Sequence, residues 1–313
     1  MRAFVTGGTG FLGGRLVERL RGRGDEVVAL ARSPGKAGRL AELGCELAEG
    51  ELASRERLAA AMRGCDAVFH VAADYRIGIR ESERARMFEV NVEGTRNVLA
   101  GAAGVGRIVY VSTNSVLGNT RGAVVDETYE RAGGDWLSAY DESKFLAHRL
   151  VQERIAEGAP IVVVQPGGIY GAGDHTQMGS LLARALRGKL VLLPLGSVGL
   201  NWAHVDDVAA GVLLAHDRGK VGETYILGGE IATLRKGVEQ AFAAGGHRPR
   251  IVPVPTALLR LVAPLGPLLR RNVREILSAS DGVTYWGSDA KARRELGYAP
   301  SGLAEGLRRT VAG

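Results

Sequence analysis

The chain has 313 residues, 46% of them hydrophobic and 24% charged, with a net charge of +6 and a pI near 9.5. That balance excludes a disordered or fibrous chain, and no apolar run approaches the ~18 residues of a membrane span. Lysine supplies six of the 40 basic residues; the arginines are scattered along helical patterns with no dense run, so nucleic acid is not an expected partner, whereas a small anionic ligand is.

No secretory leader is expected, since after Met1-Arg2 the run Ala3–Thr6 passes straight into a glycine cluster. Cys45 and Cys65 fit no metal or redox spacing, so the expectation is a cytoplasmic protein without a metal. Apolar runs at Ala3–Thr6, Glu26–Ala31, Cys45–Ala48, Ala67–Ala72, Arg107–Ser112 and Ile161–Gln165 read as strands. Amphipathic stretches alternate with them at Leu12–Arg21, Arg55–Met62, Met87–Ala103 and Ser143–Glu157. Strands apolar on both faces and separated by helices predict a doubly wound α/β fold, a parallel Rossmann sheet covered on both sides.

The rhythm changes after about Gly171, which predicts a smaller, mixed α/β substrate domain. The expected division is 1–168 for the dinucleotide-binding part, with 169–202 and 230–313 for the substrate part. Segments at about 203–229 return to the first sheet: a helix Asp207–His216 with Asp206 as its N-cap, and a strand Thr224–Leu227. The stretch Thr256–Ala279 is rich in leucine and carries Arg260, Arg270, Arg271 and Arg274. Packing on its own domain, with interruptions at Pro264 and Pro267, is the preferred reading; weak peripheral association with an anionic membrane is the alternative.

The first strand leads into Gly7-Gly8-Thr9-Gly10-Phe11-Leu12-Gly13 and then a helix. Read as Gly8-x-Gly10-x-x-Gly13 or Gly7-x-x-Gly10-x-x-Gly13, the glycines permit a tight turn and let backbone approach a pyrophosphate at the helix N-terminus. About twenty residues on, where an NAD enzyme places Asp or Glu, this chain has Arg32, with Ser33 and Lys36 close by. A guanidinium suits a 2′-phosphate, so NADP(H) is favoured over NAD(H).

Tyr140 and Lys144 are four apart and share one face of a helix entered near Ser138. A phenol titrates near pH 10, and a neighbouring ammonium and an oxidised nicotinamide would lower it into the range useful for acid–base work. Thr113, at the end of the fifth strand, is the best candidate to position a substrate oxygen, with Ser112 and Ser115 as fallbacks. Asn91 reads as a structural tether and His70 as a satisfied core histidine. Tyr75, Arg76, Asn114, Tyr170 and Trp202 are the residues expected near the substrate.

Together these motifs resemble an extended short-chain dehydrogenase/reductase. The matching pieces are Thr6–Gly13, Asn91–Asn97, Ser112–Gly118, Tyr140–Lys144, Pro166–Gly171, His204–Ala209 and Lys291–Tyr298. Phe69–Arg76 and Leu200–Glu230 are similar to the dihydroflavonol-reductase-like branch, which includes proteins named hopanoid-associated sugar epimerases. The resemblance implies a catalytic triad of Thr113, Tyr140 and Lys144. It implies cofactor contacts from Gly7, Gly10 and Gly13, from the backbone of Phe11 and Leu12, and from Arg32, Ala72, Ala73, Pro166, Ile169 and, in a loose alignment, Ser180. Glu51-Leu52 stands where the family usually has Asp-Leu beside the adenine. A homodimer through the helices around Met87–Ala103 and Ser143–Glu157 is also implied.

Two reactions share this core. A carbonyl reductase passes hydride from NADPH to a ketone or aldehyde; a nucleotide-sugar epimerase or dehydratase keeps its dinucleotide and returns the hydride. Arg32 favours the reductase. So does Leu200-Asn201-Trp202-Ala203-His204, which lacks the Arg-Asp of many sugar-nucleotide members and is expected to set Trp202 near an apolar pocket. A dinucleotide-binding sensor without turnover has no need of Thr113, Tyr140 and Lys144 together.

Overall fold

The computed structural model describes residues 1–131, 133–266 and 270–312, with the side chains of Lys36 and Ala312 excepted. Its strands are β1 (Arg2–Thr6), β2 (Glu26–Ala31), β3 (Glu46–Glu49), β4 (Ala67–His70), β5 (Arg107–Val111), β6 (Ile161–Pro166), β7 (Gly168–Tyr170), β8 (Val191–Pro194), β9 (Gly199–His204), β10 (Thr224–Leu227), β11 (Glu230–Thr233) and β12 (Ile251–Val254). Seven of them form one parallel sheet in the order β10-β6-β5-β4-β1-β2-β3. This is the doubly wound sheet expected from the sequence.

The strand sequences explain why both faces are covered. Side chains alternate across a strand, so each continuous apolar run feeds two cores. Ala3 and Val5, Val27 and Ala29, Val109 and Val111, Val162 and Val164 pack on one face with Leu16, Val17, Val208 and Val212. These last four come from helices Phe11–Gly22 and Val205–Arg218. Phe4, Val28, Ile108, Tyr110, Ile161 and Val163 pack on the other face with Leu58, Met62, Val98, Ala147 and Val151. Full burial of such side chains contributes about 1.5–3 kcal/mol each.

The remaining strands form a three-stranded sheet, β11-β9-β7, and a two-stranded one, β12-β8. They enclose a third core of Tyr170, Leu182, Val191, Leu193, Trp202, Leu234, Val238, Phe242, Leu303 and Leu307. β7 follows β6 after one residue, so the smaller sheet is tied to the end of the larger one.

Three local expectations change. The helix read as Met87–Ala103 is broken into Glu81–Phe88, a π-helical turn Glu89–Glu93 and Gly94–Gly101. The helix after β9 runs Val205–Arg218, and its cap is His204, whose Nδ1 accepts the Asp206 N–H at 3.3 Å. Asp206 is turned to Arg309 (3.2 Å) and Arg15 (3.6 Å) instead. Finally, Thr256–Ala279 forms helix Thr256–Val262, a 3₁₀ turn Ala263–Leu265 and helix Val273–Ser280. Pro267 lies outside the described residues. Among the described residues no helix is long and apolar enough to cross a membrane.

Candidate functional site

A cleft of about 1010 Å³ opens at the C-terminal ends of the central strands, where the chain reverses direction across the sheet between β1 and β4. Gly7, Thr9, Gly10, Phe11, Leu12 and Gly13 line one end of it. β1 stops at Thr6, whose Oγ1 accepts the N–H groups of Val71 (3.1 Å) and Ala72 (3.2 Å) and pairs with His70 Nδ1 at 2.8 Å. His70 Nε2 lies 3.0 Å from Thr95 Oγ1. Burial pushes His70 down to about 3, so it is the neutral, satisfied core histidine expected.

The loop beyond Thr6 requires glycine for two reasons. Gly7 has φ +75°, and a Cβ there would sit 2.8 Å from the Ala72 nitrogen; a Cβ on Gly13 would overlap the Gly7 carbonyl oxygen. The helix that follows has Gly10 as an extended N-cap, no side-chain cap and no acidic residue in its first turn. Its first N–H groups therefore face the cleft without an internal partner, ready for an anion.

Arg32 is exposed at the end of β2 and lines both the cleft and an adjoining hollow shared with Glu49, Glu51, Ser54 and Arg57. Glu51, Leu52, Ala72, Ala73, Pro166 and Ile169 also line the cleft. The side chain of Lys36 lies outside the described residues. Ser180 does not belong to the cleft: it is exposed on helix Gln177–Leu186, whose Gln177, Met178 and Leu181 face the cleft instead.

Helix Ala139–Ala156 carries the Tyr140–Lys144 pair. It begins where Ser138 Oγ accepts the Asp141 N–H at 3.0 Å, with Asp141 and Glu142 in the first turn. A buried ion pair fixes this end: Arg131 reaches Asp141 at 2.6 and 2.9 Å, and Asp141 also accepts the Leu137 N–H. Tyr140 and Lys144 are both buried and both line the cleft. Lys144 Nζ donates to the Val111 carbonyl (3.0 Å) and to Tyr110 Oη (3.2 Å), and lies 4.9 Å from the Tyr110 ring centre. Burial pushes Lys144 down to about 7. Burial also raises Tyr140 above the ordinary phenol value, Tyr75 adds to the rise, and the Thr113 hydroxyl opposes it.

Thr113 caps a 3₁₀ turn Asn114–Leu117 by accepting the Ser115 N–H at 3.2 Å. Ser112 is committed elsewhere, to His148 Nδ1 at 3.2 Å. Tyr75 is 54% exposed and sets its ring edge-on to Tyr140, centroids 4.8 Å apart. Asn91 tethers the loop beneath it: its Oδ1 accepts the Asp74 N–H (2.7 Å), and its Nδ2 donates to the Asp74 carbonyl (3.1 Å) and to Ser143 Oγ (2.9 Å). Arg76 lines the cleft but is paired with Asp74 and Glu83.

Two residues expected near the substrate are in the third core. Trp202 is fully buried, donates Nε1–H to the Ala232 carbonyl at 3.1 Å, and fills the space left by Gly237, where a Cβ would overlap its indole. Tyr170 is equally buried, stacked edge-on against Trp202 and His204, with its hydroxyl directed to the Leu303 carbonyl. Asn114 forms part of the cleft wall, yet both atoms of its amide head are buried without a hydrogen-bond partner.

Sequence reasoning missed the partners of helix Ala139–Ala156. Tyr110 gave no motif; only its position in β5, on the face that receives this helix, marks it as the Lys144 acceptor. Glu275 is 136 residues away in sequence, and its Oε1 accepts the Ala139 N–H at 3.0 Å. It thereby ties helix Val273–Ser280, whose Ile276, Ala279 and Ser280 line the cleft, to the start of the helix that carries Tyr140 and Lys144. The far end of the cleft is otherwise built from Met178, Leu181, Leu195, Val198, Leu200, Leu234 and Tyr285. Among the described lining residues that follow Lys144 in the chain, none is charged.

The profile of the NAD dependent epimerase/dehydratase family matches residues 3–228. The chain is 34% identical to a protein of Stigmatella aurantiaca named 4-hydroxy-2-methyl-3-oxo-4-farnesyl-3,4-dihydroquinoline-1-oxide ketoreductase, over 96% of this chain and 92% of that one. It is 33% identical to a 2-alkyl-3-oxoalkanoate reductase of Stenotrophomonas maltophilia, over 100% and 99%. The crystal structure of gox2253 superposes with a TM-score of 0.84 at 34% identity, covering 99% of this chain and 96% of that one.

Proposed function

The chain belongs to the NAD-dependent epimerase/dehydratase family, and from that premise we propose that it is an NADP(H)-dependent reductase of an apolar ketone or aldehyde. The observation that carries this reading is that none of the described cleft-lining residues after Lys144 is charged, while Arg76, beside Tyr75, is already paired with Asp74 and Glu83. A nucleotide-sugar substrate brings a diphosphate that calls for a cation there; an apolar carbonyl compound does not. The two relatives' names also describe ketone reduction, on a farnesyl-bearing ring and on an alkyl oxoalkanoate.

The chain's own groups suit the dinucleotide. The Gly7–Gly13 turn, which a Cβ would fill, and the free first-turn N–H groups of the following helix would hold the pyrophosphate. Glu51 and Leu52 would meet the adenosine, Arg32 the 2′-phosphate, Ala72 and Ala73 the middle of the molecule, Pro166 and Ile169 the nicotinamide, and Lys144 its ribose. The bound dinucleotide supplies the hydride. Tyr140 donates its phenolic proton to the substrate oxygen as negative charge develops there. Thr113 donates a hydrogen bond to the same oxygen and holds it in line with the phenol. In its protonated form Lys144 would favour the phenolate left behind, against the burial that opposes it. The division of labour is 1–168 for the dinucleotide and 169–202 with 230–313 for the substrate, and the two free cysteines suit a reducing cytoplasm.

The test begins with the dinucleotide released on denaturing freshly purified protein. NADP(H), or none, followed by carbonyl-dependent NADPH oxidation that falls about 10²–10⁴-fold in Y140F, is the expected result. Stoichiometric NAD, with no NADPH oxidation by any apolar ketone, would assign the epimerase or dehydratase reaction instead.

A further inference from the structure

Between Glu239 and Glu275 the chain has no aspartate or glutamate and six arginines, at 248, 250, 260, 270, 271 and 274. Within this segment, helix Thr256–Val262 buries none of its residues. Leu261 is 76% exposed, and Leu258 and Leu265 are each 51% exposed. One outward leucine is ordinary. Here Leu258 and Leu261 stand at i and i+3, on one side of the helix, and Leu265 follows in the 3₁₀ turn. Arg270 and Arg274 are exposed in the same segment of chain, while Arg260 is paired with Asp281 at 2.8 Å.

This helix packs against helix Val273–Ser280, whose Ile276, Ala279 and Ser280 line the cleft. These two packed helices therefore carry exposed leucines and arginines, and the second contributes to the cleft wall. We propose that this exposed surface seats the protein on an anionic lipid bilayer. The three leucines enter the boundary between headgroups and acyl chains, and the arginines meet lipid phosphates. A second copy of the chain is a poor occupant, because a two-fold contact would set this arginine-rich patch against itself. If the reductase reading holds, on which this consequence rests, the apolar carbonyl compound passes from the bilayer into a cleft whose wall is already at the membrane.

The test is flotation of the full-length protein with vesicles of phosphatidylcholine alone or mixed with phosphatidylglycerol. Binding to the anionic vesicles only, reversed by high salt, is expected. L258D/L261D should weaken it on the order of tenfold or more. R270Q/R274Q should weaken it about fivefold per arginine. Both variants should keep wild-type dinucleotide affinity and thermal midpoint, which separates lost docking from lost folding. Absence of flotation, or flotation unchanged in both variants, overturns the proposal. So does a dimer, seen by light scattering, that L258D/L261D dissolves while vesicles bind neither protein. Flotation needs no turnover, so its failure leaves the reductase reading intact, and a barren carbonyl screen leaves the docking surface intact.

Discussion

Replacing Lys144 by methionine should abolish turnover and change how the fold responds to pH. Burial carries the ammonium from the ordinary 10.5 down to about 7. A shift of that size corresponds to about 5 kcal/mol of stability withheld from the folded protein at and below neutral pH. Methionine removes that cost. It also removes the bonds to the Val111 carbonyl and Tyr110 Oη, a loss of about 1 kcal/mol each and more if the acceptors stay dry. This second effect is an offset nearly independent of pH, whereas the first is not. Between pH 7 and 10.5 the folded wild type has released the Lys144 proton and the unfolded chain retains it. The unfolded state thus binds more protons, and wild-type stability rises with pH. Relative to K144M, the wild type should gain about 1.4 kcal/mol per pH unit above neutrality and level off below it. From pH 7 to 9 this amounts to about 3 kcal/mol, or roughly 6–12 °C in midpoint. Urea and thermal unfolding of both proteins without dinucleotide, at several pH values, measure it. A difference that stays flat from pH 6 to 9.5 would refute a buried, depressed Lys144.

Three further outcomes follow from the geometry. G7A should lose dinucleotide binding, measured by isothermal titration, because a side chain at φ +75° is strained and its Cβ meets the Ala72 backbone 2.8 Å away; binding at wild-type affinity would contradict the loop geometry. R32E should lower NADP(H) affinity about tenfold or more while sparing NAD(H), and an equal effect on both would remove Arg32 from the 2′-phosphate. W202A should cost about 3–5 kcal/mol by opening a cavity against Tyr170 and Gly237, whereas W202F should leave the substrate KM unchanged; a KM raised in the stable W202F variant would return Trp202 to the substrate.

Features set by short-range geometry were legible in the chain itself. Strand and helix periods, the strand–glycine–helix passage at Thr6–Leu12 and the i, i+4 pair Tyr140–Lys144 depend on neighbours a few residues apart, and the structure brings all of these pieces to one cleft. Even the satisfied state of His70 followed from its strand context. What depends on a distant segment was not legible. Trp202 reads locally like a pocket residue, but a glycine 35 positions later gives its indole a place in the core. Ser180 lies on the helix that borders the cleft, and helix orientation turns it to solvent while Gln177 and Leu181 face inward. Asp206 had the composition of a cap, yet His204 occupies that role and Arg309, from the far end of the chain, claims the carboxylate. The contact of Glu275 with the helix that carries Tyr140 and Lys144, 136 residues away, and the far wall of the cleft likewise arise from packing between segments distant in the chain. A sequence states which side chains an element has; only the tertiary arrangement decides which neighbour each one meets, because burial and hydrogen bonding are settled between elements and not within them.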